Sequence, residues 1–427
     1  MDNSKSSLLQ KFAQSEKPNW KAIIKGHLDK IKEEEARNEN FLHLTANESQ
    51  MSKTARLFLD SRLSERYYVG AGKDDIVDWG IFTQLGFKGI AGLVTEAENA
   101  AKEMLGASVI NLGCLSGVHA MMCAILSTTE PGDTVMTVDH DHGGHFATSG
   151  ILKRVGRNNI YAAYNLGELK FDAKTTVQIF KRAGAKAFYM DVSYYVNPHN
   201  LRELREALGE SAIIIYDASH TIGLIMGQTF QSPLKEGANV VCANTHKTLS
   251  GPQKGMIAFR DKAFGEKANA IIKGSLYSSL HTHHIIALAI TILELKVFGK
   301  EYAQQIIANS NAVGQAFTDL GYDVRRANTG RFSENHQAHI FIDDKGKRLD
   351  LYKKLVANNI STNFDNPLGG RLYIRIGTQE ITRRGMKEKE MQQIASFIDR
   401  SFKGEDIKEE VMIFNKQFPN ILYSFDQ

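Results

Sequence analysis

The stretch Val240-Val241-Cys242-Ala243, followed closely by Thr245-His246-Lys247-Thr248, decides the fold of this chain. Four apolar residues in a row are typical of a strand that is buried on both faces of a sheet. Ser250-Gly251-Pro252 comes next and predicts a turn. Lys247 is therefore predicted to lie at the end of a buried strand. Desolvation there would lower the pKa of its amine and make it a nucleophile toward carbonyl groups.

Short apolar runs of the same kind recur along the first part of the chain, and helical patterns separate them. They cover residues 108–112, 134–138, 187–190 and 213–216. This alternation predicts an α/β fold with a mainly parallel sheet covered by helices on both faces. Ligand sites in such sheets lie beyond the carboxyl ends of the strands.

A second, smaller α/β layer is predicted after an apolar helix at 284–298. Its strand patterns lie at 339–342 and 372–376, and its helical patterns lie at 349–357 and 386–402. We predict three parts: an N-terminal helical arm at 1–40, a large domain at 41–290 and a small C-terminal domain at 291–427. The arm has apolar residues at helical spacing, which predicts an amphipathic helix packed on the body.

The composition is that of an ordinary globular protein, with 427 residues, 42% hydrophobic, 23% charged and a net charge of +4. Since lysines and arginines are not clustered, we expect no nucleic-acid or membrane partner. No signal segment and no apolar run of membrane-spanning length is recognised, so a cytoplasmic location is expected. Cys114, Cys123 and Cys242 are predicted to be buried free thiols in a reducing compartment.

Asp217 directly follows the apolar run at 213–216 and lies thirty residues before Lys247. That separation leaves room for a helix and a strand, so both side chains could lie at neighbouring strand ends. Pyridoxal phosphate is an electron sink only while its ring nitrogen is protonated, and a buried carboxylate facing that nitrogen keeps it so. Asp217 alone fits a helix N-cap equally well, but paired with Lys247 it favours a pyridoxal phosphate site.

Two further segments suit a flat, phosphorylated cofactor. Leu115-Ser116-Gly117-Val118-His119 lies between a strand and a helix, where backbone N–H groups can cradle a phosphate, although an ordinary turn fits as well. In His142-Gly143-Gly144-His145 one imidazole could stack on the cofactor ring. These histidines, and those of His281-Thr282-His283-His284, could also bind a metal, but the sequence does not place suitable partners nearby, so no metal site is predicted.

Five motifs, in order, resemble the signature motifs of serine hydroxymethyltransferases. They are Leu44-Thr45-Ala46-Asn47-Glu48, Gly143-Gly144-His145, Asp217-Ala218-Ser219-His220, Thr245-His246-Lys247-Thr248-Leu249 and Ile374-Arg375-Ile376-Gly377-Thr378. The resemblance implies the fold-type I architecture of pyridoxal phosphate enzymes, with a mainly parallel seven-stranded sheet and a smaller C-terminal α/β domain. It also implies an obligate homodimer, or a dimer of dimers, whose active sites take residues from both subunits.

The same resemblance implies roles for individual residues. Lys247 would be the Schiff-base lysine, Asp217 the partner of the pyridinium nitrogen and His145 the ring-stacking histidine. The other cofactor-binding residues would be Ser116, Gly117, Ser193, His220, Thr245 and His246.

The substrate end of the site is also implied by the resemblance. Arg375 would grip the substrate carboxylate, for which a bidentate guanidinium is suited. Glu48 would be the acid/base glutamate and Tyr67 a site tyrosine, and both would reach the cofactor of the neighbouring subunit.

Several segments depart from the hydroxymethyltransferase pattern. Ser250-Gly251-Pro252-Gln253-Lys254-Gly255 lacks the arginines of the family, and 275–281 replaces a glycine-rich loop. These regions shape the folate end of the pocket. Together with the terminal Leu422-Tyr423-Ser424-Phe425-Asp426, they are similar to the L-threonine transaldolases.

That branch implies cleavage of a β-hydroxy amino acid, L-threonine above all, to a glycine-derived carbanion, which is added to an aldehyde to give a new β-hydroxy-α-amino acid. Its partners would be amino acid and aldehyde substrates. The alternatives are a folate-dependent serine hydroxymethyltransferase, a decarboxylase or aminotransferase on the same fold, and a cofactor-binding scaffold without catalysis.

Overall fold

The computed structural model describes residues 19–70, 74–78, 80, 82–342, 348–364 and 371–427, so the first 18 residues of the predicted arm lie outside the described residues. The helices are α1 (Trp20–Glu39), α2 (Lys53–Arg56), α3 (Lys88–Leu105), α4 (Gly117–Thr128), α5 (Thr148–Arg154), α6 (Ala173–Arg182), α7 (Leu201–Leu208), α8 (Ile222–Met226), α9 (Pro233–Glu236), α10 (Lys262–Ser275), α11 (Thr282–Asp319), α12 (Arg348–Ala357), α13 (Gln379–Arg383), α14 (Glu388–Lys403) and α15 (Lys408–Lys416), with short 3-10 turns at Arg62–Glu65 and His140–His142. The strands are β1 (Leu42–His43), β2 (Ile76–Asp78), β3 (Thr83–Leu85), β4 (Val109–Asn111), β5 (Thr134–Thr137), β6 (Asn158–Tyr161), β7 (Tyr164–Asn165), β8 (Lys170–Phe171), β9 (Ala187–Met190), β10 (Ile213–Asp217), β11 (Val240–Asn244), β12 (Gly255–Phe259), β13 (Gln337–Ile342), β14 (Ile360–Ser361), β15 (Asn363–Phe364) and β16 (Leu372–Gly377).

The larger sheet has seven strands in the order β4-β12-β11-β10-β9-β5-β6. β12 is antiparallel to both neighbours, and the other pairs are parallel. The predicted seven-stranded, mainly parallel sheet is thus confirmed. The parallel strands β9, β10 and β11 lie side by side, so their carboxyl ends meet at one edge of the sheet.

Both faces of this sheet are buried, because successive side chains of a strand point to opposite faces. Val241 and Ala243 of β11 belong to the core that α3 and the first half of α11 cover. Val240 and Cys242 belong to a second core, under α4 and α10. This double burial explains why β11 is apolar at consecutive positions.

The smaller α/β layer is built on the antiparallel sheet β13-β16-β15. Ile340 and Ile374 of this sheet share a core with Leu355 of α12 and Ile394 of α14. The chain also returns to this layer near its start, because β1 pairs in parallel with β14. The segment that follows β1 is thereby held beside the small domain.

The helix α11 is much longer than the predicted segment 284–298, since it spans 38 residues. Its first half packs in the large-domain core through residues such as Leu288, and its second half packs in the small-domain core through residues such as Phe317. The predicted boundary at 290 therefore falls inside a continuous helix.

The length of α11 also corrects the expectation that the chain has no long apolar run. Within the described part of the chain, α11 is the one helix long and apolar enough to cross a membrane. However, 67% of that apolar window is buried inside the protein. The core helix of a folded domain passes the same test, and this helix packs in both domains.

The N-terminal arm forms the expected helix, α1, but does not pack on the described chain. Asn19 caps its start by accepting a hydrogen bond from the N–H of Ala22. None of its residues is buried, and Trp20, Ile24 and Ile31 are exposed. The predicted packing of the arm on the body is therefore not seen.

Gly223 of α8 lets this helix approach the turn that carries Lys247. A Cβ atom at position 223 would lie 2.1 Å from the carbonyl oxygen of Thr248. The N–H of Gly223 also donates to the Thr248 hydroxyl over 3.1 Å. Only glycine permits this contact, so the position of the turn depends on it.

We predict that Gly223→Ala lowers the free energy of unfolding by about 1–3 kcal/mol or more, because the added methyl group overlaps a backbone oxygen. Gly92→Ala in α3 is the matched control, since no atom lies within 4 Å of its added Cβ. The control should raise stability by about 0.5–1 kcal/mol through lower backbone entropy of the unfolded chain. Thermal unfolding of both variants measures the difference, and equal melting temperatures would contradict the close approach at Gly223.

Candidate active site

A cavity of about 280 Å³ lies beyond the carboxyl ends of β9, β10 and β11. Eight of the predicted site residues line it: Ser116, Gly117, His145, Ser193, Asp217, His220, His246 and Lys247. The rest of the lining consists of Val118, Met121, Tyr189, Asp191, Val192, Ser219 and Asn244. The other four predicted residues, which are Glu48, Tyr67, Thr245 and Arg375, are not among these lining residues.

Lys247 lies in the turn after β11, and its Nζ is 3.1 Å from Nε2 of His220. Burial lowers the pKa of this lysine to about 8, against an opposing effect of Asp217. Burial also lowers the pKa of His220 well below its usual value, and the positive charge of Lys247 adds to this. At neutral pH the imidazole is thus uncharged, so its Nε2 can accept a hydrogen bond from the lysine ammonium.

Asp217 is the last residue of β10 and faces the cavity floor. Its Oδ2 accepts a hydrogen bond from the Tyr189 hydroxyl over 2.5 Å, and its Oδ1 accepts one from the N–H of Ser219 over 2.8 Å. The next helix is capped at Thr221, so Asp217 is not an N-cap. These two bonds fix the carboxylate where it can face a cationic ring nitrogen.

The end of the cavity suited to a phosphate is the N-terminus of α4. Ser116 caps this helix, since its Oγ accepts the N–H of His119 over 3.1 Å. A Cβ atom at Gly117 would lie 2.8 Å from Cβ of Asn244, so glycine is needed for the end of β11 to approach the loop. The hydroxyl of Ser116 and the N–H groups of the first turn can therefore meet an anion in the cavity.

His145 lines the side of the cavity and is placed by Asp191, a residue that the sequence analysis did not select. The Asp191 carboxylate accepts hydrogen bonds from the N–H groups of Val138 (3.1 Å) and His145 (3.2 Å) and from the Thr148 hydroxyl (2.6 Å). Burial raises the pKa of Asp191 to about 7. A sequence signal existed, because Asp191 directly follows an apolar strand, as Asp217 does.

Arg375 of β16 approaches the site from the small domain. Its Nη1 donates to the carbonyl oxygen of Ser193 over 3.1 Å, and its Nη2 donates to Oδ1 of Asn47 over 3.1 Å. The guanidinium also lies 4.6 Å from the ring centroid of Tyr194. Its positive charge acts on both Lys247 and His220, so the group lies near the cavity although it does not line it.

Gln337, at the start of β13, is a second residue that the sequence analysis missed. Its Nε2 donates to the carbonyl oxygen of Ser193 over 3.1 Å and lies 3.4 Å from Nδ1 of His220. Through Gln337, the small domain thus contacts the imidazole of His220, which in turn contacts Lys247. No local pattern indicates this role, because it depends on how the two domains meet.

Thr245 stabilises the turn that carries Lys247 through two hydrogen bonds. Its hydroxyl donates to the carbonyl oxygen of Pro252 over 2.5 Å and accepts the N–H of Lys254 over 3.0 Å. The side chain is fully buried. In this arrangement the hydroxyl shapes the turn around Lys247 and does not face the cavity.

Glu48 and Tyr67, the two residues expected to act on a neighbouring subunit, lie outside the cavity lining of their own chain. The Glu48 carboxylate accepts a hydrogen bond from the Thr45 hydroxyl over 2.8 Å, and its contact with His43 lowers its pKa. Tyr67 is exposed, and its hydroxyl is hydrogen-bonded to Ser278. Both side chains are therefore open to contacts beyond this chain.

Among the described residues, one group could offer three metal ligands: Cys114, His119 and Cys123, whose ligand atoms lie within 4.8 Å of one another. However, Nδ1 of His119 accepts the N–H of Leu115 over 2.9 Å, and Nε2 lies 3.0 Å from the carbonyl oxygen of Leu276. Both ring nitrogens are thus used within the protein, and the group is a hydrogen-bonded thiol pair. All three cysteines are free and buried, as predicted.

Three kinds of comparison with known proteins show what this chain is similar to. A family model described as serine hydroxymethyltransferase matches residues 24–398. The serine hydroxymethyltransferase of Methanocella arvoryzae is 34% identical over 406 residues, which cover 90% of this chain and 92% of that protein. The fluorothreonine transaldolase of Streptantibioticus cattleyicolor is 33% identical over 371 residues, covering 86% of this chain and 58% of that protein. The solved structure of an L-threonine transaldolase from Pseudomonas fluorescens, in its internal aldimine state, is similar with a TM-score of 0.87 at 29% identity, covering 99% of this chain and 96% of that one.

We predict that the cofactor-free protein reacts with pyridoxal phosphate at a rate that rises with pH through a midpoint at about pH 8, because only the neutral amine of Lys247 attacks a carbonyl. Stopped-flow absorbance measures this rate. Lys254 is the matched control, since burial lowers its pKa to about 8 as well, but its Nζ donates to the carbonyl oxygen of Leu280. Lys254→Met should keep the pH-dependent reaction with pyridoxal phosphate, and Lys247→Ala should lose it. A midpoint of the rate near pH 10 would contradict a Lys247 amine whose pKa is lowered by desolvation.

Proposed function

Because the chain belongs to the serine hydroxymethyltransferase family and is a pyridoxal phosphate-dependent enzyme, we propose that it is an L-threonine transaldolase. In this proposal it cleaves L-threonine to acetaldehyde and a glycine-derived carbanion, which it adds to a second aldehyde. The product is a new β-hydroxy-α-amino acid. One observation carries the proposal: the amine of Lys247 and the carboxylate of Asp217 line one cavity, and the charges of Asp217 and Arg375 both act on that amine.

The cavity fits pyridoxal phosphate on the residues that line it. The N-terminus of α4 is suited to the phosphate, Asp217 to the ring nitrogen, His145 to the ring face and Lys247 to the aldehyde carbon. When bound, the cofactor supplies an imine linkage and a ring that accepts the electrons of a broken bond at Cα. The Asp217 carboxylate holds a proton on the ring nitrogen, and its two hydrogen bonds keep it in place.

The residues around Lys247 then serve the amino acid. Arg375 binds the substrate carboxylate, for which its fork of donors is suited. The neutral imidazole of His220 accepts a hydrogen bond from Lys247, since the two nitrogens are 3.1 Å apart, and so holds the amine in place. Because the substrate amino group would take the place of Lys247 on the cofactor, the amino acid would be held at that point and at Arg375, which orients the bond to be broken.

The proton of the β-hydroxyl group goes to Glu48 or to a water molecule that it holds. His43 and Thr45 lower the pKa of Glu48, so the carboxylate is ionised and can act as a base at neutral pH. Because Glu48 and Tyr67 do not line the cavity of their own chain, we assign them to the site of a second subunit. The proposed assembly is a homodimer, or a dimer of dimers, with shared sites, and the proposed location is cytoplasmic.

Transaldolase activity is favoured over folate chemistry by the turn that follows Lys247. Lys254 of this turn is fully buried and bonded to Leu280, so its charge is directed into the fold and not toward a ligand. The two transaldolases among the relatives, one found by sequence and one by structure, add to this preference. The acceptor is an aldehyde, and tetrahydrofolate is not required.

We predict that the purified enzyme releases acetaldehyde from L-threonine without tetrahydrofolate, and faster when an aromatic or aliphatic aldehyde is added as acceptor. Coupled reduction of acetaldehyde by an alcohol dehydrogenase and NADH measures the release, and mass spectrometry identifies the new amino acid. Lys247→Ala should lose both signals while keeping its circular dichroism spectrum. Absence of acetaldehyde with every acceptor would refute the transaldolase assignment.

The other activities of this fold give different results with the same protein. Turnover of L-serine that requires tetrahydrofolate would identify a hydroxymethyltransferase. Carbon dioxide release would identify a decarboxylase, and amino transfer linked to glutamate would identify an aminotransferase. A bound chromophore that does not respond to amino acids would identify a scaffold without catalysis.

A further inference from the structure

Tyr302 lies in the middle of α11, is fully buried, and connects several segments through its hydroxyl group. This hydroxyl donates to the carbonyl oxygen of Gln379 over 2.8 Å and is hydrogen-bonded to the Ser250 hydroxyl over 3.0 Å. The Ser250 oxygen is in turn 2.9 Å from the hydroxyl oxygen of Ser49. We refer to Tyr302, Ser250, Ser49 and Gln379 as the Tyr302 junction.

Each partner of Tyr302 in this junction belongs to a segment that carries a site residue. Ser250 is three residues after Lys247, Ser49 follows Glu48 directly, and Gln379 is four residues after Arg375. The Tyr302 hydroxyl therefore contacts the segments of Ser250 and Gln379 directly and is linked to the segment of Ser49 through Ser250.

Gln379 strengthens the link between the small domain and the Glu48 segment. Its Nε2 donates to the carbonyl oxygens of Thr45 and Glu48, over 2.7 Å in each case. The backbone that carries the Glu48 carboxylate is thus held by the first residue of α13, the helix that follows the strand of Arg375.

Ser250 has a backbone conformation that needs support. Its φ angle is +61°, which side chains other than glycine rarely adopt, and the residue is fully buried. Such a conformation is strained, and it persists only where the surroundings hold it. The bond from Ser250 to Tyr302 is a local interaction that holds this turn.

The ring of Tyr302 is held in place by contacts with Tyr423 of the C-terminal segment and with Arg383. The ring of Tyr423 lies 5.3 Å from its ring, and the guanidinium of Arg383 lies 5.6 Å from the ring centroid. Arg383 is paired with Glu294 over 2.9 Å, and both side chains are almost completely buried. The phenol therefore has little freedom to move with its partners.

We propose that Tyr302 is a positioning residue whose hydroxyl sets the spacing between the Lys247 turn, the Arg375 strand and the Glu48 segment. The proposal rests on the proposed function in one respect, namely that Arg375 binds the substrate carboxylate while the substrate amino group takes the place of Lys247 on the cofactor. Loss of the hydroxyl would let these segments shift relative to one another without removing any group that touches the substrate.

The test is Tyr302→Phe in the full-length holoenzyme. We expect the dissociation constant for glycine, measured from the absorbance change of the bound cofactor, to rise between about tenfold and a hundredfold. The KM for L-threonine should rise in parallel. Tyr322→Phe is the matched control, since this hydroxyl donates to Asp399 over 3.0 Å within the small domain. The control should leave both constants unchanged while losing a comparable hydrogen bond.

Ser49→Ala is the second variant, because Ser49 is only partly buried and its loss is compatible with folding even if Tyr302→Phe misfolds. This variant should also raise the dissociation constant for glycine, but by a smaller factor than Tyr302→Phe does. If the folded variants at Tyr302 and Ser49 bind glycine like the Tyr322 control, the positioning role is overturned. Glycine binding does not depend on threonine cleavage, so failure of the transaldolase proposal would be seen separately in the wild-type enzyme.

Discussion

Parallel pairing of β10 with β11 is the constraint on which the rest of the site depends. The pairing places Asp217 opposite Cys242, so the carboxylate at the end of one strand lies beside the strand that leads to Lys247. Both strands are buried on two faces, which removes water from the amine and lowers its pKa to about 8. Backbone pairing and apolar packing thus create a reactive amine near a carboxylate suited to a cationic cofactor ring.

The second requirement is that two domains meet at this sheet edge. The continuous helix α11 spans both cores, and Arg375 and Gln337 reach the site from the small domain through contacts with Ser193. Tyr302 lies on the same helix. Through its junction it links the three segments that carry the lysine, the arginine and the glutamate. The chemistry of the site is local, but its geometry depends on the contact between the domains.

The sequence predicts the parts of this architecture that arise from short-range patterns. Buried strands are visible because they are apolar at consecutive positions, and the pairing of Asp217 with Lys247 follows from where two such strands end. The full length of α11 is not visible, because its apolar residues pack in one core and then in another. Gln337 acts through a contact between distant segments, which a linear pattern does not contain, and the direction of the Thr245 hydroxyl is set by the folded turn. Asp191 had a local signal, since it directly follows an apolar strand as Asp217 does.

Reductive labelling shows whether the lysine after β11 carries the cofactor. Borohydride treatment of the holoenzyme, followed by digestion and mass spectrometry, locates the phosphopyridoxyl group on a single peptide. We expect the label to lie on Lys247 in every preparation. Stoichiometric label on Lys254, the other buried lysine with a pKa of about 8, or on a surface lysine would contradict it.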